Sequence, residues 1–177
     1  MFWTGSNVLN HSLRGAVSLN IDEMTQHALH HAVLYAVDGA FVVVVATLIV
    51  LTPRGKPSIA LDGSLLLISM LMLSPMTSRS HYVVLLLPYM TLLALAFRDD
   101  WTAKLGYAVL ALSFVLVTLT SNDVVGRTVS AWAYSHSFLV LGTLVLLIYF
   151  AAIIIRRHRA EQVAASPALP RIASPSV

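Results

Sequence analysis

The stretch Phe41-Val-Val-Val-Val-Ala-Thr-Leu-Ile-Val-Leu51 carries no charge and a single hydroxyl, and it lies inside a longer apolar run, 31–52. A helix that is hydrophobic all round must be buried in a large core or in a membrane. Four further runs follow, at about 58–76, 81–97, 104–120 and 138–155. A bilayer core asks for about 20 apolar residues per helix, within a range of about 17–25. The composition agrees, since 58% of the chain is hydrophobic and 11% is charged. An ordinary soluble domain is about a quarter charged. The sequence therefore predicts an all-α, polytopic membrane bundle of about five transmembrane helices over 31–155. A polar segment, 1–30, precedes it, and a basic and then disordered tail, 156–177, follows.

Orientation follows from the basic residues. With the tail in the cytoplasm, Arg54, Lys56, Arg98, Lys104, Arg156, Arg157, Arg159 and Arg171 lie inside, and Arg14, Arg79 and Arg127 lie outside. Eight against three fits the positive-inside rule. The formal net charge of +3 is explained by these loops, so no nucleic-acid partner is implied. With no cysteine in the chain, disulfides, thiolate metal sites and a Cys nucleophile are excluded. The N-terminal segment, the 74–81 turn and the 121–137 loop then share the external face. An odd number of spans with an external start and no signal peptide leads to the expectation that further sequence precedes Met1.

Three constellations could carry chemistry. The first is the turn Ser74-Pro75-Met76-Thr77-Ser78-Arg79-Ser80-His81-Tyr82. Pro75 should stop one helix, and the next should begin near His81. Free N–H groups at a helix start, a fixed cation and a titratable His suit an anion such as a headgroup-level phosphate. A polar turn with a snorkelling Arg fits the same residues. The second is the stripe His27, His31, Tyr35 and Asp38, which spans an arc of roughly 80° on a helix. Asp38 lies about two turns inside the apolar run, where a carboxylate is expensive and should face the bundle interior or a water-filled cavity. A general base and a hydrogen-bonded structural carboxyl are both open to it. The third is the loop from Ser121 through Asp123 and Arg127 to Trp132, Tyr134 and His136, where aromatic residues belong at a membrane interface in any case. Asp62 near Lys56 reads as an interfacial ion pair, and Pro88 should kink the third helix. P-loop, GxSxG, HExxH and GxxxG patterns are absent, and no metal or cofactor is expected.

The stretch Ser74-Pro-Met-Thr-Ser-Arg-Ser-His-Tyr-Val-Val-Leu-Leu-Leu-Pro88 resembles the serine-proline, histidine, proline signature of bacterial glycosyltransferase family 87. That family is a polytopic group of the GT-C class and includes polyprenyl-phosphate-mannose-dependent mannosyltransferases. Asn10-His-Ser-Leu-Arg-Gly15 is similar to the family's Asn-Gln-Ser-Leu segment, with His11 in place of Gln. Asp123-Val-Val-Gly126 with Leu141-Gly-Thr-Leu144 resembles its last external loop and last helix. The three stretches occur in the family's order across most of residues 7–147.

The resemblance implies transfer of a hexose, mannose first, from a polyprenyl-phosphate donor to an envelope glycan or glycolipid. The reaction would take place at the external face of a bacterial plasma membrane. It implies Arg79, His81 and Arg14 at the donor phosphate, with Ser74, Pro75, Ser78, Tyr82 and Asn10 in support. The family's catalytic acid lies in a first long external loop that this chain lacks. The expectation is therefore a C-terminal portion, inactive alone, with its base upstream, and with Asp38, beside Asp22 and Glu23, as the candidate acid within it. Two other readings stand beside this one. A small transporter would use Asp38, Asp62 and the Pro88 bend, and a non-catalytic scaffold or truncated remnant would use none of them.

Overall fold

Backbone N–H and C=O groups find no partner in hydrocarbon, so apolar runs in lipid close their hydrogen bonds internally as helices. The computed structural model describes residues 12–20, 27–53, 58–74, 79–97 and 100–165, and no strand occurs among them. The order is α1 (Leu13–Asn20), α2 (His27–Leu51), α3 (Ser58–Leu73), a 3₁₀ segment (Arg79–Leu85) that runs straight into α4 (Leu86–Ala96), α5 (Asp100–Thr118), α6 (Asn122–Ser135) and α7 (Phe138–Ala165).

Helix α7 is the hub, in contact with α2, α3, α5 and α6. Its buried stripe is Thr143, Leu146, Phe150 and Ile154, spaced as one helical face requires. It meets a matching stripe on α3, Leu61, Leu65, Ile68 and Met72. The outer surface is apolar too. Val42, Val43, Val44 and Val50 of α2 are exposed, and only 22% of that helix's apolar window is buried. A surface of this kind is stable against lipid and not against water.

Among the described residues, two helices are long and apolar enough to cross a membrane, Ala32–Leu51 and Phe138–Ala164. A third is obtained if α5 and α6, bent by 81° at their junction, form one broken span. The described residues are thus all-helical, with two to three candidate spans among them. Helix α3 is apolar but has 16 residues, or roughly 24 Å at 1.5 Å per residue, against a core of about 30 Å. A span of that length is accommodated by a thinner bilayer or by flanking residues that snorkel to the interface.

Several elements differ from the sequence-based expectation. Residues 121–137, expected as a loop, hold α6. The basic stretch after Ile155 extends α7 through Arg156, Arg157 and Arg159 to Ala165. Arginine is a good helix former, so the helix continues through them. Pro88 changes the winding of the third helix. The turn before it is 3₁₀, and the α-helix starts at Leu86, where a missing N–H at the third position leaves no bond unmade.

Polar contacts tie the helices together inside the bundle. The Tyr89 hydroxyl donates to Ser113 Oγ at 3.1 Å, and Ser113 donates onward to the Gly142 carbonyl at 2.8 Å, linking α4, α5 and α7. The Ser64 and Thr91 oxygens, 3.1 Å apart, join α3 to α4. Ser113→Ala is expected to lower bundle stability by about 1 kcal/mol, the usual worth of an interhelical hydrogen bond in a membrane. Unfolding in mixed micelles checks this, and an unchanged midpoint would show the link to be dispensable.

Candidate functional site

In the sequence, Pro75 follows directly on the end of α3. A residue before Pro disfavours the α conformation, so α3 closes at Leu73 and Ser74 ends it, its N–H bonding to the Met70 carbonyl at 3.2 Å. The chain re-enters the bundle at Arg79, the first residue of the 3₁₀ segment. Two turn residues singled out from the sequence, Ser74 and His81, line one small cleft with Met70, Leu71 and Val84. The cleft holds about 30 Å³, room for roughly one water and too little for a sugar phosphate. His81 itself is exposed at its rim.

Tyr82 points the other way. It is buried at 5% exposure, and its hydroxyl is hydrogen-bonded to the side chain of Thr143 on α7. It therefore fixes the 3₁₀ segment to the hub helix, while His81 beside it stays at the surface.

The Asn10–Gly15 stretch meets the start of α1. Ser12 is fully buried and its Oγ accepts from the Gly15 N–H at 3.2 Å, an N-cap bond at the third helical position. Arg14 is the second residue of α1, which rests on α2 and α3. Asn10, Pro75 and Ser78 lie outside the described residues, as does Lys56, the expected partner of Asp62. Asp62 Oδ1 is buried with no hydrogen-bond partner. Asp38 is half-buried, at the edge of the α2 stripe formed by Leu34, Phe41, Val45 and Leu48, while Tyr35 is exposed. Asp123 and Arg127 are both exposed, and Gly126 breaks the helix between them at φ 78°, so they do not share one helical register.

Among the described residues, no three His, Cys, Asp or Glu side chains converge as a metal site needs. Sequence reasoning missed Ser12 and Thr143. Ser12 carried a readable signal, because Ser before an apolar-periodic stretch is a cap pattern. Thr143 carried none, because a hydroxyl in an apolar run reveals its partner only once the helices are packed. No family model, no curated protein and no solved structure matches the chain.

Proposed function

We propose that this chain is part of a membrane glycosyltransferase similar to family 87. It serves transfer of a hexose, mannose first, from a polyprenyl-phosphate donor to an envelope glycan or glycolipid. The site would lie at the external face of a bacterial plasma membrane, with five spans and a cytoplasmic C-terminus. One observation supports the reading best: Ser74 and His81, from opposite sides of the signature turn, share one cleft where α3 ends and the chain re-enters the bundle.

In this reaction the acceptor hydroxyl attacks the anomeric carbon as its proton passes to a base. The carbon–oxygen bond to the polyprenyl phosphate breaks, and the phosphate leaves with the electron pair. Cations beside that phosphate lower the barrier, because charge develops there in the transition state. Arg79 and His81 take that role, with the headgroup outside the small cleft and against the exposed imidazole. Arg14 is a third candidate. Asp38 is the acid within this chain that a base role would call on.

Arg79→Ala and His81→Ala, each expressed from the native locus, are expected to lower sugar transfer in isolated membranes about tenfold. That corresponds to losing one charge-assisted hydrogen bond of about 1.5 kcal/mol. Protein levels should not change. Full transfer in both variants would overturn the donor-phosphate role. Proton-driven uptake that depends on Asp62, with its buried and unpaired oxygen, would then favour a carrier.

A further inference from the structure

Helix α6 departs from α5 at 81°, so it runs across the bundle and not along it. Gly126 divides it, and the arm from 127 to 135 is a continuous helix. At about 100° per residue this arm has three distinct sides. Ser130, Ala133 and the half-buried Tyr134 face the bundle, and Ser130 donates to the carbonyl of Thr120, two residues past the end of α5, at 2.6 Å. Val129 and Trp132, both exposed, share a second side within roughly 60° of each other. Arg127, Ala131 and Ser135 occupy the third side, also exposed.

The second side is not an isolated patch. The Trp132 ring packs edge-on to Phe138 at 5.1 Å between centroids and lies 4.7 Å from the His136 ring. Phe138 begins α7, where Leu141 continues the exposed apolar surface down the spanning helix. The apolar side of the arm is therefore continuous with the lipid-facing side of α7. The opposite side carries a cation and a hydroxyl. A helix with one face on protein, one on hydrocarbon and one on water belongs at the boundary of all three, and Trp is the residue most enriched there.

We propose that the 127–135 arm of α6 is a monotopic element that lies in the headgroup layer, with Val129 and Trp132 seated in phospholipid. It is neither the second half of a broken span nor a loop in water. It anchors the end of α7 to the membrane surface and so fixes the depth of the hub helix.

Because the chain has no cysteine, single labels can be placed without background. Val129→Cys, Trp132→Cys, Ala131→Cys and Ser135→Cys, in the full chain, carry nitroxides in vesicles of phosphatidylcholine and phosphatidylglycerol. Collision with oxygen, which concentrates in hydrocarbon, is compared with collision with a water-soluble nickel chelate. The oxygen-to-nickel ratio is expected to be severalfold higher at 129 and 132 than at 131 and 135. One uniform ratio at all four sites overturns the proposal, since a high value means a spanning segment and a low value a helix in water. Trp132→Cys removes an anchor, so the Val129→Cys and Ala131→Cys pair, which keeps Trp132, decides the matter alone.

Discussion

Gly142→Leu is expected to separate α7 from α5 and to lower bundle stability by about 4 kcal/mol, beyond the ~1–3 kcal/mol usual for overpacking. A Cβ at Gly142 would stand 3.1 Å from the Ser113 carbonyl oxygen, 3.1 Å from Val117 Cγ2 and 3.3 Å from Leu116 Cβ. The first and last of these are fixed to the α5 backbone and cannot rotate aside, so a side chain as large as Leu forces the helix axes apart. In lipid there is little hydrophobic force to close such a gap, because the solvent is as apolar as the side chains. Helix association rests instead on close contact and hydrogen bonds. Separation loses both, since the Ser113 bond to the Gly142 carbonyl lies in the same seam. Unfolding in mixed micelles followed by circular dichroism tests this, with Gly142→Ala as an intermediate step of about 1 kcal/mol. A Leu variant as stable as the parent would show that this seam opens freely and that α7 is held by α2 and α3 instead.

The role of α7 was only half legible in the sequence. The run 138–155 reads as a span from hydropathy alone, and the structure holds it within one continuous helix that is a candidate span. Its position as hub was not readable, because an apolar run looks alike on every face and the core-facing stripe emerges only from packing. Residues 121–137 misled for the opposite reason. An interfacial helix has modest average hydropathy, so it resembles a loop, although Val129, Trp132 and His136 already stood at i, i+3 and i+7. The turn at 74–82 was legible as punctuation. Pro75 follows the end of α3 in the sequence and Pro88 lies where the next helix changes winding, and Ser74 and His81 line one cleft between the two. The inward turn of Tyr82 toward Thr143 was not legible, since the partner lies 61 residues further along the chain.

Phe150→Ala should cost about 3 kcal/mol, at the low end of the 3–5 kcal/mol known for buried Phe in soluble proteins. Phe150 is fully buried in the centre of the α7 stripe, among residues of a single apolar cluster. In water, truncation would lose both the transfer of the ring from solvent and the contacts around it. In a membrane the transfer part nearly vanishes, because an exposed ring would meet lipid tails. The contact part remains, since the neighbours on α3 and α7 cannot collapse fully into the space. Phe150→Leu keeps most of the volume and should cost about 1 kcal/mol. Ile148→Ala on the same helix provides the contrast, because Ile148 is 68% exposed on the outer surface and its loss should change stability little. Equal losses at 148 and 150 would mean that the outer surface of α7 is covered by protein and not by lipid. Equal retention at both would mean that α7 is not the hub of the bundle. The ordering Phe150→Ala, Phe150→Leu, Ile148→Ala, measured in one micelle composition, is what a helix with one packed side and one lipid side requires.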